Sequence, residues 1–316
     1  MHWLADPRTP GAGPDAPVPR PAVFAAMAAW LALLAIVRYR LGFLAESHWL
    51  ALYLVAGYAG AFAVLGLGHG WAMLARIPAR TWGVLAVSAA CICAFWYLGR
   101  MDSFWRWGAD HVDWSWPLSP LLPFAYFCAG SLVFRLIIPL AWARLQHGWQ
   151  PAALGLPRPF APTPDPQPIA WLYVALYLLL LPLVLYASGR ADFLARYPLA
   201  RELLLPDRTL AGGLLLAYFT CYLSVFVAGE GFFRGFVSFG LERDFGGYSV
   251  ALMLVPYVFV HFGKPESETL GAIVAGTVLG WLALKHRSVW LGVALHFAVA
   301  VTMDLLALRG HGVRLQ

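Results

Sequence analysis

Charged side chains are scarce in this 316-residue chain: they make up 12% of it, against 61% hydrophobic residues. A soluble domain usually contains about 25% charged residues, so the composition excludes an ordinary soluble protein. The chain has 15 Trp and 13 Tyr, and such rings collect at the two membrane–water interfaces of membrane proteins. The sequence therefore predicts an integral membrane protein whose main partner is the lipid bilayer.

Two further absences narrow the function. The net charge of +6 is spread over short loops and both tails, without the basic stripe that nucleic acid needs, so no nucleic-acid partner is expected. All 4 cysteines lie inside apolar runs and lack a metal or redox spacing, so no disulfide is predicted.

The apolar residues form about nine runs, and a membrane-spanning helix needs roughly 17 to 25 residues. The runs lie near 21–37, 49–75, 81–99, 119–143, 168–188, 209–236, 248–262, 268–285 and 288–308. All should be helices, because lipid offers no partner to exposed backbone groups. The predicted fold class is all-α, a polytopic transmembrane helical bundle.

Proline-rich stretches divide this bundle. Residues 1–20 are rich in Pro and Gly and are expected to be a disordered tail. Four N-terminal spans fill residues 21–148, a Pro-rich linker covers 149–168, five spans fill 169–308, and residues 309–316 form a C-terminal tail. Residues 190–205 alternate charged and apolar side chains and are expected to lie in the interface plane.

Ionisable residues are concentrated in the last five spans, which hold Glu230, Arg234, His261, His296 and Asp304. An ionisable group at membrane depth is costly and is a functional hypothesis by default. The alternative is that these side chains only form hydrogen bonds that staple helices together. In the N-terminal half, His69 and Arg135 are isolated, and we expect packing roles for both.

Helix geometry brings these groups together. The turn "DFGGYS" joins the sixth and seventh spans. Counted from that turn at 1.5 Å per residue, Glu230 and His261 both lie roughly 20 to 25 Å away. Asp304 falls at the same depth and His296 about 12 Å lower. A carboxylate beside a neutral imidazole can deprotonate water, and a second histidine can donate to an oxyanion.

Three motifs on these spans resemble a known family. "EGFFRG" is similar to EExxxR, "YVFVH" to FxxxH and "HFAVA" to HxxxN or HxxxD, in the same order. These are the motifs of the CPBP family of CAAX endopeptidases and bacteriocin-processing or immunity proteins. The resemblance covers residues 209–308 and implies that the catalytic core lies in the last five spans.

The sequence departs from the family pattern at two positions. Gly229 stands where the family has its first glutamate, and Ala300 where it has Asn or Asp. Asp304, one turn after Ala300, can substitute, or it is a helix-end residue exposed to headgroups. In "HFGKPESE", Lys264 and Glu268 form a lid or supporting shell over the site, or they cap the eighth helix.

The resemblance implies an intramembrane glutamic endopeptidase that hydrolyses a membrane-anchored or lipid-modified polypeptide. It assigns Glu230 as general base, His261 as its partner at the attacking water and His296 as oxyanion donor, with Arg234 and Asp304 in support. The abundance of Ala, Gly, Arg and Trp suggests a GC-rich bacterial genome, so the expected location is a bacterial inner membrane.

Two alternatives stay open. Glu and two His could ligate zinc, but no HExxH motif is present to form such a site on one helix, so we expect no metal and no cofactor. The protein could instead be a non-catalytic scaffold or immunity factor. A transporter is less well supported, because the two halves lack the internal symmetry of inverted repeats.

Overall fold

The computed structural model describes residues 9–116, 118–148, 155, 169–204 and 209–316. Its helices are α1 (Pro21–Leu41), α2 (Leu50–His69), α3 (Trp71–Ala75), α4 (Ala79–Leu98), α5 (Met101–Trp107), α6 (Leu122–Leu132), α7 (Ile138–His147), α8 (Ile169–Ser188), α9 (Ala191–Arg196), α10 (Gly212–Glu230), α11 (Gly240–Phe245), α12 (Tyr248–Phe259), α13 (Glu266–His286) and α14 (Trp290–Gly310). Two π-helical segments, Val133–Ile137 and Gly231–Phe239, continue α6 and α10. The short parallel strands β1 (Thr209–Leu210) and β2 (Arg314–Leu315) pair beside the start of α10.

Eight helical stretches in the described chain are long and apolar enough to cross a membrane. The predicted all-α polytopic bundle is therefore confirmed, and the protein is an integral membrane protein. The predicted span at 248–262 differs, because α12 has only 12 residues. At 1.5 Å per residue it is about 18 Å long, against roughly 30 Å of hydrocarbon.

Helix α12 is the centre of the bundle. Every one of its residues is buried, the pattern of a helix enclosed by protein on all sides. It packs against α1, α2, α13 and the π-helical segment Gly231–Phe239. The N-terminal spans thus enclose a helix of the C-terminal half, and the two halves share one core.

The predicted hairpin turn is present. Helix α11 ends at Phe245 and α12 begins at Tyr248. Between them Gly246 has a φ of 53°, a positive value that glycine adopts without the steric penalty of a side chain. This turn sets the starting depth from which α12 leads back toward the site.

The N-terminal segment differs from the expected disordered tail over residues 9–20. The amides of Gly11 and Gly13 donate to Glu242 Oε1 (2.9 Å) and to the carbonyl of Arg243 (2.8 Å). The amide of Arg20 donates to the Tyr248 hydroxyl at 2.7 Å. Acceptors at the α11–α12 turn therefore order this segment. The predicted linker lies outside the described residues except for residue 155.

The segment 191–204, for which an in-plane position is predicted, packs on the bundle. Phe193 and Tyr197 are buried together with Ala307 of α14. In the same segment, Arg196 and Leu199 line a pocket that reaches into the bundle. The segment therefore forms one wall of that pocket.

Candidate active site

Glu230 is the last residue of α10, where the helix changes to π geometry, and only 1% of it is exposed. Its Oε1 accepts hydrogen bonds from Arg234 Nη1 (2.9 Å) and His296 Nδ1 (3.0 Å). An ionised carboxylate only accepts, so His296 donates through Nδ1. Oε2 has no hydrogen-bond partner among the described residues. A buried polar atom of this kind is a candidate for a bond to substrate or water.

Gly292 of α14 makes room for this carboxylate. A Cβ atom at that position would lie 2.8 Å from Glu230 Oε2, well inside van der Waals contact. The glycine therefore allows α14 to approach α10 closely enough for His296 to reach Glu230.

Arg234 holds the carboxylate from one turn below. It is completely buried, and its guanidinium lies 4.3 Å from the centre of the Tyr257 ring. Tyr257 also packs edge-on against Phe233 at 5.1 Å. A desolvated cation gains from an aromatic face, and its pairing with Glu230 offsets part of the penalty for burying both charges.

His261 is fixed by the early end of α12. Its backbone amide bonds to the carbonyl of Val258 (3.0 Å), so the carbonyl of Tyr257 lacks its usual helical donor. The ring supplies one instead, since Nδ1 lies 2.7 Å from that carbonyl. A carbonyl can only accept, so Nδ1 carries the proton and Nε2 is an acceptor. The ring is buried, and burial favours the neutral imidazole over the imidazolium.

A pocket of about 160 Å³ joins these groups. It is lined by four of the five residues assigned to the reaction, Glu230, Arg234, His261 and His296, and by Lys264. The remaining lining residues come from α4, α5, α6 and the segment 191–204, among others. The N-terminal spans and the C-terminal spans thus build the pocket together.

The two histidines differ from their expected positions. The depth count places His261 beside Glu230 and His296 lower. In the structure His296 makes the bond to Glu230, and His261 bonds to the backbone of Tyr257. His296 reaches Glu230 because Gly292 lets α14 lie close to the carboxylate, and the His261 ring meets the Tyr257 carbonyl because α12 ends at Phe259 and the chain then turns. Both rings still line the same pocket.

Asp304 is fully buried, so the alternative of a headgroup-exposed aspartate is wrong. It accepts a short hydrogen bond from the Tyr218 hydroxyl and thereby links α14 to α10. Neither Asp304 nor Tyr218 lines the pocket. No contact between Asp304 and His261 or the pocket supports the prediction that Asp304 orients His261 or the water.

Lys264 and Glu268 make a partly exposed ion pair, with Nζ 2.5 Å from Oε1. The second oxygen of Glu268 accepts from the Tyr197 hydroxyl at 2.8 Å. The pair therefore ties the start of α13 to the segment 191–204. Of the two, only Lys264 lines the pocket. Glu268 also lies in the first turn of α13, where an acidic residue favours the helix N-terminus.

Arg135, for which a packing role is predicted, lines the pocket. It is 7% exposed and lies in the π-helical segment Val133–Ile137. π-helical turns occur frequently at functional sites. His69, assigned to packing with it, bonds to the Tyr248 hydroxyl at 2.8 Å and lies outside the pocket. A charged residue in mid-span was the available signal for Arg135; its proximity to Gly229 depends on tertiary packing.

Residues 211–302 match the family model described as "Type II CAAX prenyl endopeptidase Rce1-like". This segment is similar to that family. The resemblance inferred from the three motifs is therefore confirmed over the part of the chain that carries Glu230, Arg234, His261 and His296. No curated protein and no solved structure matches the chain.

The donor set also bears on the zinc alternative. Among the described residues, no group of three or more His, Cys, Asp or Glu side chains is placed to hold a metal ion. The Glu230 carboxylate is bonded to His296 and to the guanidinium of Arg234. A guanidinium has no acceptor atom and is not a metal ligand.

Proposed function

We propose that the protein is an intramembrane endopeptidase that hydrolyses a peptide bond in a membrane-anchored or lipid-modified polypeptide. The observation that carries this proposal is the asymmetry of the Glu230 carboxylate. Arg234 and His296 occupy Oε1, and Oε2 has no partner among the described residues. One oxygen is thus fixed, and the other can accept a proton.

The reaction follows from these groups. Glu230 takes a proton from water, and the resulting hydroxide attacks the carbonyl carbon of the scissile peptide bond. Nε2 of His261 can accept the second hydrogen of that water and orient it. When the tetrahedral intermediate breaks down, the protonated carboxyl of Glu230 returns its proton to the leaving amine. No metal or cofactor takes part in this proposal, and the protein acts in a bacterial inner membrane.

The test compares the wild-type protein with Glu230→Gln in membranes. The amide keeps the shape of the side chain and loses the base. New peptide termini in the membrane proteome should appear with the wild-type protein and be absent with the variant at equal expression. CAAX-type peptides with and without a prenyl group would show whether lipid modification matters. Equal cleavage by both proteins would refute Glu230 as base.

A non-catalytic scaffold or immunity factor is the second candidate, and the departures at Gly229 and Ala300 favour it. A scaffold tolerates the loss of Glu230, so Glu230→Gln would keep its cellular effect. The zinc alternative is tested by metal analysis of the purified protein alongside activity after treatment with a chelator. Stoichiometric zinc together with loss of activity would support that alternative.

A further inference from the structure

Arg135 lines the same pocket as Arg234 but belongs to a different transmembrane helix. Its Nε donates to Ser131 Oγ at 3.0 Å, and its Nη2 donates to Ser131 and to the carbonyl of Val225 (3.3 Å). The guanidinium also stacks over Phe95, 4.6 Å from the ring centre. These contacts fix the plane of the guanidinium, and none of the hydrogen bonds uses Nη1.

The Nη1 atom points toward Gly229. A Cβ atom built on Gly229 would lie 3.6 Å from Nη1, at ordinary van der Waals distance. With glycine at this position, no carboxylate from α10 pairs with Arg135. The carboxylate that interacts with it electrostatically is the neighbouring Glu230, which is bonded to Arg234 and His296. Among the described residues, no carboxylate is therefore in hydrogen-bond contact with the Arg135 guanidinium.

The histidines and the arginine of the three motifs, together with Lys264, are poor donors for an oxyanion. Neutral His261 carries its proton on Nδ1, which is used by the backbone. The Nδ1 of His296 is used by Glu230, and Lys264 is paired with Glu268. Ala300, the third-motif position, has no polar atom. Arg234 donates to the base itself through Nη1, and although its Nε and Nη2 have no hydrogen-bond partner among the described residues, none of its side chain is exposed.

We infer that Arg135 is the oxyanion-binding residue of this site. Its Nη1 donates a charge-assisted hydrogen bond to the scissile carbonyl oxygen, which becomes negative when water attacks. Such donors act where charge develops and are strongest in a site that excludes water. This inference rests on the proposed endopeptidase function and adds to it a catalytic residue from the N-terminal spans.

The first test is the kinetics of Arg135→Gln on a peptide that the wild-type protein cleaves. Loss of one oxyanion donor lowers kcat by about 100- to 1,000-fold, and KM should change little. The matched control is Arg38→Gln. Arg38 also stacks on a phenylalanine, 4.5 Å from the Phe262 ring, and bonds to a backbone carbonyl, but it does not line the pocket. This control should keep the wild-type kcat.

A rescue experiment separates catalysis from packing. Arg135→Ala leaves a space that free guanidinium ion can enter, and addition of that ion should restore part of kcat. A purely structural arginine would instead lower the amount or the thermal midpoint of the folded protein, without a guanidinium-dependent rate. Wild-type kcat in folded Arg135→Gln would overturn the assignment.

If the Arg135 variants do not fold, Gly229→Glu tests the same inference. The new carboxylate would pair with Arg135 and withdraw Nη1 from the substrate, so kcat should fall about 10- to 100-fold, as for the loss of a charged hydrogen bond. Gly229→Gln, of equal size but neutral, should lose less. Equal rates for the two variants, or a gain with Gly229→Glu, would overturn the inference. A wild-type protein without any peptidase activity would instead refute the proposed function, before any variant is compared.

Discussion

Gly292→Ala tests the geometry of the site, because it adds one methyl group next to the Glu230 carboxylate. The added Cβ would lie 2.8 Å from Glu230 Oε2, and ordinary contacts begin at 3.4 Å. The carboxylate or α14 must therefore shift by about 0.6 Å, the difference of these two distances. The hydrogen bonds of 2.9 and 3.0 Å on Oε1 resist that shift.

The expected result is a loss of rate that is larger than the loss of stability. A misplacement of 1 Å in a catalytic geometry costs on the order of 100-fold in rate, so a shift of about half that size should lower kcat roughly 10-fold or more. Overpacking by a methyl group costs about 1–3 kcal/mol of unfolding free energy. The measurements are kcat in detergent or liposomes and the thermal midpoint of the purified protein.

The matched control is Gly271→Ala in α13. A Cβ at Gly271 meets no atom within 4 Å, so the alanine should leave the rate unchanged. It should also stabilise the helix by roughly 0.5–1 kcal/mol, because it removes the entropy penalty of glycine. If Gly292→Ala kept the wild-type kcat, the carboxylate would not sit against α14 as described, and Glu230 would lose its assigned geometry.

Further outcomes follow from the contacts around the pocket. Tyr218→Phe removes the hydroxyl that donates to buried Asp304, and the unfolding free energy should fall by about 1–3 kcal/mol, as measured by thermal denaturation. The kcat of the folded protein should stay near the wild-type value. A loss of kcat without destabilisation would contradict a purely structural role for this hydrogen bond. Tyr197→Phe breaks the bond to Glu268 and should raise KM for peptide substrates more than it lowers kcat, because the pocket wall loosens; unchanged KM would show that the wall is held by packing alone. His261→Gln should abolish turnover in folded protein, measured with the same peptides; residual activity near the wild-type rate would remove the imidazole from the reaction.

The sequence was sufficient for the class of fold, and it singled out four residues that line the pocket, Glu230, Arg234, His261 and His296. Ionisable groups such as Glu230 and Arg234 are costly at membrane depth, so their presence in apolar runs carries information that does not depend on tertiary detail. The hairpin turn at residues 246–247 follows equally from local chemistry, because glycine allows positive φ. These features are confirmed because each one is decided within a few residues of chain.

The pairing inside the site could not be predicted in the same way. The depth count assumes that a helix runs to the end of its apolar stretch, but α12 ends at Phe259 and His261 turns back onto Tyr257. It also assumes straight α-helices, whereas the chain after Glu230 is π-helical over Gly231–Phe239. The approach of His296 depends on Gly292. The early end of α12, the π-helical geometry and the close approach at Gly292 cannot be read from hydropathy or from the spacing of motifs.

Because position 229 is a glycine, one carboxylate, Glu230, interacts with two arginines, one from each half of the chain. In this pocket Glu230 interacts with two guanidinium groups, Arg234 through a hydrogen bond and Arg135 electrostatically. Counted from their ordinary ionisation states, these three groups carry a net charge of about +1 before the reaction. A second carboxylate at position 229 would balance the charge of these three groups.

On the assignment of Arg135 as oxyanion donor, the net charge of these groups stays the same during the reaction, and only the position of the negative charge changes. Proton transfer to Glu230 and attack on the carbonyl move the negative charge from the carboxylate to the oxyanion, which then faces Arg135. The guanidinium therefore gains a full charge-assisted partner only as the tetrahedral intermediate forms. An interaction that is stronger in the transition state than in the resting site raises kcat, whereas one that is equal in both does not. On this assignment, glycine at 229 leaves Arg135 available to the oxyanion, whereas a glutamate there would pair with Arg135 before the substrate arrives.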